Sequence, residues 1–170
     1  IGFAQQEEIA RRFCHAMGTP NYFSNDSECF NGRYIGYSLG YGTWAVPDFP
    51  NSDCMIIWGS NPPAAHPHMT RMIMEGKAKG SKLIVVDPRL SMIARQADIH
   101  AAIKAGTDGA LAWGIIHLLV KNNWYDKDFV EKYTVGFDKL AKYAESFTPQ
   151  YVAEETGLKE EIVIEIAQSV

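Results

Sequence analysis

The sequence has three cysteines in 170 residues, Cys14, Cys29 and Cys54, odd in number and widely spaced. No CxxC or zinc-type spacing occurs, so neither a disulfide framework nor a structural zinc site is implied. No apolar run approaches the roughly 20 residues of a membrane span, and no direct membrane insertion is expected. Positive charge is not in excess: Lys and Arg total 16 against 20 Asp and Glu, a net charge of −4. That balance gives no electrostatic case for a nucleic-acid partner. Neither GxGxxG nor GxxxxGK[ST] is present, so the plain dinucleotide fold and the P-loop both lack their fingerprints. The opening "IGFAQQEEIARRFCHAMG" has no initiator Met and no secretory signal. It reads as the interior of a longer protein, whose compartment, cytoplasmic or periplasmic in a prokaryote, would be set by a segment upstream.

What is present is ordinary globular material, 46% hydrophobic and 21% charged, long enough for one real core. Residues 5–17 place Ile9, Ala10, Phe13 and Met17 near helical spacing, and Gly18 ends the run. A long irregular stretch over 19–51, rich in glycine and aromatics, follows; such connections are commonly functional, and 31–39 within it reads as helical. Residues 54–58 form an unbroken apolar run, expected as a fully buried strand. A helix is expected over 69–79, with Met69, Met72 and Met74 as core filler and Gly80 as its stop. Residues 83–86 read as a second buried strand, 91–96 as a short helix and 99–103 as a third strand. A strong helix is expected over 107–122, with Leu111, Ile115, Leu118 and Leu119 facing one way. Asp108 falls in its first turn, where the helix dipole favours an acid. Helices over 126–133, 137–146, 149–155 and 159–170 complete the chain, which has no internal repeat.

This alternation predicts an α/β class: a Rossmann-like three-layer sandwich with a mostly parallel sheet, helices on both faces and extra C-terminal helices, built as one α/β domain over 1–170. Right-handed crossovers bring the strand C-termini to one edge, where open α/β sheets bind ligands.

Three polar turns leave those strand ends. Gly59, Ser60 and Asn61 follow the first strand; the glycine permits close backbone approach, and the amide can bond sugar or phosphate oxygens. Asp87, Pro88 and Arg89 follow the second. An acid there is where Rossmann-type sites grip a ribose hydroxyl, and an arginine can pair with phosphate. Gly106, Thr107 and Asp108 follow the third, at a helix start. Each residue also has a simpler reading: Asp-Pro after a strand is a common turn former, and Asp108 alone would serve as a helix cap. His66 and His68 invite a metal reading, but no third ligand accompanies them. His15, His100 and His117 are not assigned a catalytic role, and Cys14 and Cys54 are expected in the core. Taken together, the turns suggest a nucleotide site.

Four stretches, "WGSNPPAAHP", "VVDPR", "ADIHAAIKAGTDGALAWGIIHLL" and "YDKDFVEKYTVGFDKL", together resemble the molybdopterin oxidoreductases of the dimethyl sulfoxide reductase type. Each motif is short, but four in the family's order and spacing are specific, and the resemblance runs over nearly the whole chain. It implies one α/β domain of a larger catalytic subunit. Its cofactors would be bis-molybdopterin guanine dinucleotide, molybdenum or tungsten, and an iron–sulfur cluster in a part N-terminal to this chain. Implied partners are a small-molecule substrate, the other domains of the same chain and an iron–sulfur electron-transfer subunit.

Carried over by position, the resemblance makes Gly59, Ser60, Asn61, His66, Asp87, Pro88, Arg89, Gly106, Thr107 and Asp108 cofactor-binding residues. Asp108 would recognise guanine, because a carboxylate accepts from both its N1–H and its 2-amino group, which adenine cannot reproduce. The catalytic residue and metal ligand would be Cys29, in "SNDSECFNGRYIGYSLGYG", about thirty residues ahead of Gly59; a thiolate is a soft ligand suited to such a metal. Phe30 follows it where formate dehydrogenases of the family place a His. That departure argues against formate oxidation and toward the polysulfide, thiosulfate, arsenate or periplasmic nitrate branches. The implied function is oxygen- or sulfur-group transfer, or coupled electron and proton transfer, as in anaerobic respiration. Two alternatives stay open: a nicotinamide-dependent dehydrogenase domain and a relative that has lost its cofactor.

Overall fold

Leu83, Ile84, Val85 and Val86 are each at most 1% exposed, the environment that an unbroken apolar strand requires on both faces. They belong to the middle strand of a three-stranded parallel sheet in this computed structural model, which describes residues 4–23 and 30–170. The strands are β1 (Cys54–Trp58), β2 (Lys82–Val86) and β3 (Ile99–Ala101), in the order β1-β2-β3. Trp58 pairs with Val86, and Val86 with Ala101, so all three strands end level at one edge.

The chain divides into two compact units, Ile1–Pro47 and Asp48–Val170. The sheet lies in the second, with helices packed on both of its faces. On one face Met55, Ile57, Leu83 and Val85 meet Ile73 of α4 (Pro67–Ala78), with Phe49, Ile93 and Ala94. On the other, Ile84, Val86, Ile99 and Ala101 meet α5 (Asp108–Asn122), α8 (Pro149–Thr156) and α9 (Glu160–Ser169). A short helix, α3 (Pro62–Ala65), precedes α4, while α6 (Lys127–Tyr133) and α7 (Phe137–Ala144) lie between α5 and α8 in sequence. The expected three-layer α/β arrangement is therefore present. Full burial of an aliphatic side chain contributes about 1.5–3 kcal/mol, so the four apolar residues of β2 alone are a major part of the core.

Three local expectations are corrected. The 54–58 strand is not fully buried: Met55 and Ile57 are buried, but Cys54, Ile56 and Trp58 are half-buried. The reason is its place at the sheet edge, which leaves the side facing α5, α8 and α9 only partly covered. The 91–96 helix shrinks to a 3-10 turn over Ala94–Gln96. The third strand stops at Ala101 because the Ile103 N–H donates to Ala101 O at 3.1 Å, closing a three-residue turn. The short α3 was not expected; it opens on Pro62, whose fixed φ suits a first helical turn.

The first unit contains α1 (Ala4–Ala16) and α2 (Asn31–Tyr41), the latter matching the helix expected over 31–39. The ring of Trp44 stacks on Phe30 at 5.6 Å and meets Tyr37 at 5.1 Å, and the Arg33 guanidinium lies 4.6 Å over it. Among the described residues no helix is long and apolar enough to cross a membrane.

Candidate functional site

The parallel register brings the three polar turns to one edge of the sheet. Gly59 N–H donates to Val86 O at 2.8 Å, and Asp87 N–H to Ala101 O at 3.2 Å, so the turns after β1 and β2 begin side by side. Gly59 adopts φ +57° and Gly106 φ +86°, conformations that favour glycine, and no heavy atom lies within 4 Å of where a Cβ would stand at either. Both turns are therefore open to close approach.

Asn61 precedes α3, and its backbone O accepts from Ala64 N at 3.0 Å and Ala65 N at 3.2 Å. Its side chain does not cap the helix. Among the described residues, Asn61 Oδ1 and His117 Nε2 are the buried side-chain polar atoms with no hydrogen-bond partner. A buried acceptor left unmatched costs about 1–3 kcal/mol, which a ligand donor would recover. Ser60 beside it is half-buried, and His66 is exposed, with its ring centroid 6.0 Å from that of His68.

Asp87 is 4% exposed, and its Oδ1 accepts from the Arg89 N–H at 2.8 Å, closing an Asx turn around Pro88. His100 Nε2 bonds the Asp87 carbonyl at 2.8 Å and ties this turn to β3. The Arg89 side chain is 78% exposed, its Nε 3.7 Å from Asp87 Oδ1. Asp87 thus shapes the turn, and Arg89 is the group it presents to solvent.

Thr107 closes the next turn on itself: its Oγ1 donates to Lys104 O at 2.7 Å. Thr107 is also the residue at the N-cap of α5, so Asp108 is not the cap. Instead, Asp108 Oδ1 accepts from Trp58 Nε1–H at 2.7 Å, while the carboxylate as a whole remains exposed. Sequence reasoning missed Trp58, read only as the end of a strand. An indole N–H with an apolar ring body needs a polar partner, but nothing in the sequence says which residue supplies it.

Cys29 lies outside the described residues. Cys14 and Cys54 are half-buried free thiols, so neither is a fully buried core residue, though Cys54 packs against the core cluster. Burial pushes the Cys54 thiol above its ordinary range, with Lys82 opposing. Among the described residues no three His, Cys, Asp or Glu side chains are grouped to hold a metal ion.

The sequence profile of the family described as molybdopterin oxidoreductase matches residues 7–164. The chain belongs to the molybdopterin oxidoreductase family. Its relatives include the F420-dependent formate dehydrogenase subunit alpha of Methanocaldococcus jannaschii, 38% identical over 84% of this chain and 21% of that protein. The assimilatory nitrate reductase of Haloferax mediterranei is 36% identical over 89% of this chain and 22% of that protein. Among solved structures, acetylene hydratase from Pelobacter acetylenicus superposes with a TM-score of 0.81 at 30% identity, over 95% of this chain and 22% of that one. The chain therefore spans about a fifth of the length of these relatives. Membership implies a molybdopterin cofactor, and the edge suits one chemically. It offers two open glycine turns, an unmatched acceptor in Asn61, an exposed cation in Arg89 and an exposed carboxylate in Asp108.

Proposed function

We propose that this chain is the segment of a molybdenum or tungsten oxidoreductase that grips one molybdopterin guanine dinucleotide, and that Cys29 supplies the protein ligand to the metal. The observation that carries the reading is the gathering of three turns at one sheet edge, two of them open at glycine and one ending in an exposed carboxylate. Gly59, Ser60 and Asn61 would meet the phosphate and ribose region, with Asn61 Oδ1 accepting a hydrogen bond from a hydroxyl. Arg89, held out by the Asp87–Pro88 turn, would pair with phosphate. Gly106 and Thr107 set the start of α5, from which Asp108 would accept from guanine N1–H and the 2-amino group. His66 would flank the first turn. When bound, the metal cofactor supplies the redox chemistry, and these side chains supply position and charge complementarity.

The whole enzyme would transfer an oxygen or sulfur group, or electrons and protons, at a small-molecule substrate, and exchange electrons through an iron–sulfur partner. Relatives named for formate oxidation, nitrate reduction and acetylene hydration all match this segment. It therefore fits a cofactor-binding role that these different reactions share. Phe30, beside Cys29, has no titratable group, which favours a reaction that needs no proton relay at that position.

The test is calorimetric titration of the chain with GDP, using ADP and NAD as controls, repeated on Asp108→Ala. GDP is expected to bind in preference to both controls. Losing two hydrogen bonds to a charged acceptor should weaken GDP binding in the variant by about 30-fold or more. Preference for NAD or ADP would overturn the guanosine assignment.

A further inference from the structure

Trp58 is the last residue of β1, and its ring packs against the core cluster formed with α5, α8 and α9. Asp108 is the first residue of α5. Although they are separated by 50 positions, the indole N–H donates to Asp108 Oδ1 at 2.7 Å. A carboxylate offers two lone pairs on each oxygen. The indole occupies one on Oδ1, leaving a lone pair there and both on Oδ2. One acceptor on each oxygen is what a bidentate contact with N1–H and the 2-amino group consumes. An exposed aspartate otherwise turns freely about its side-chain bonds, and a misaligned carboxylate meets one guanine donor and not the other.

We propose that Trp58 is a positioning residue for base recognition: its indole N–H holds the Asp108 carboxylate in the orientation that accepts both guanine donors. This inference rests on the reading that Asp108 meets guanine, and it adds the group that sets how strictly the 2-amino group is required. The strand brings its own anchor to the site, because Trp58 immediately precedes the glycine turn that opens toward the ligand. A change at the end of β1 therefore alters base selection at the start of α5, with no Trp58–base contact needed.

Trp58→Phe keeps an aromatic ring against the core cluster but removes the donor together with part of the indole's bulk, so the nucleotide preference, not the overall affinity, is the deciding readout. The experiment compares binding of GDP, IDP (which lacks the 2-amino group) and ADP to the chain, to Trp58→Phe and to Asp108→Ala. Trp58→Phe is expected to weaken GDP binding by about tenfold and to narrow the GDP-to-IDP preference, with IDP itself affected less. A merely structural role would weaken all three nucleotides together and leave the preference unchanged. Adding Trp58→Phe to Asp108→Ala should change nothing further, since the two act as one unit. Trp58→His, which retains a ring N–H, should recover part of the preference. An unchanged GDP-to-IDP ratio in Trp58→Phe, with the chain and Asp108→Ala behaving as expected, overturns the role of Trp58 and leaves the guanosine site standing. A chain that does not distinguish GDP from IDP and ADP overturns both. Should Trp58→Phe fail to fold, the Trp58 indole N–H resonance decides: it is expected to move in Asp108→Ala and on adding GDP to the chain, and a resonance indifferent to both sinks the proposal.

Discussion

Two aspartates mark opposite ends of the strands and do different work. Asp108, beyond the C-terminal ends, gives one oxygen to an indole and keeps its carboxylate exposed. Asp98, just ahead of β3, is committed to the fold: Oδ1 accepts from Lys77 Nζ at 2.7 Å and Oδ2 from the Leu83 N–H at 2.8 Å. The Lys77 hydrogen bond first, and the Leu83 bond second, hold the Asp98 carboxyl below its usual range. A carboxylate with a depressed folded pKa stabilises the protein above the unfolded value, near 3.9. That contribution is lost as the pH falls through the lowered folded value. The Asp98 side chain is 44% exposed, so solvent screens its bond to Lys77; Asp98→Asn should cost at most about 1 kcal/mol at pH 7, and the gap to the parent should close as the pH drops below about 4. Urea unfolding at pH 7 and pH 3 measures this, and a gap of equal size at both would remove Asp98 from the account.

At the scale of elements, the layer of helices on β2 and β3 depends on how closely α5 and α8 approach. A Cβ placed on Gly114 would stand 2.6 Å from Val152 Cγ2, and Val152 is 0% exposed. Neither side can yield without moving a helix. Alanine gains about 1 kcal/mol of helix propensity over glycine, while overpacking a tight core costs about 1–3 kcal/mol. Gly114→Ala is therefore expected to destabilise the protein by up to about 2 kcal/mol. Pairing it with Val152→Ala should recover part of the loss beyond additivity. Chemical denaturation of the four-member cycle reads this out, and a Gly114→Ala chain more stable than its parent would show that the helices part easily. Gly76 faces a comparable limit, since its added Cβ would stand 2.5 Å from the Phe49 carbonyl oxygen.

For the whole molecule, the proposed roles separate into metal ligation and dinucleotide grip. In a protein of the relatives' full length carrying this segment, Cys29→Ala should remove most turnover while much of the molybdenum or tungsten stays bound, because the dinucleotide contacts remain. Asp108→Ala should lower metal content and turnover together. Elemental analysis beside an activity assay checks both, and a parent protein that binds neither metal would identify a relative without its cofactor.

The strand over 83–86, the stop at Gly80 and the long α5 were legible in the sequence because each rests on a local property: an apolar run, a glycine after a periodic stretch, a helical stripe of Leu and Ile. The polar turns were legible too, since Gly-Ser-Asn-Pro, Asp-Pro-Arg and Gly-Thr-Asp each carry their turn chemistry within a few residues. Which side chain each turn buries and which it presents was not. Asp87 proved to be buried in its own Asx turn, and the exposure of β1 depended on its lying at the sheet edge, a property no single strand encodes. The partner of Asp108 was decided by tertiary structure alone. Only the parallel pairing of β1 through β2 to β3 sets the end of the first strand against the start of α5, and a hydrogen bond spanning fifty residues has no signature in the residues between.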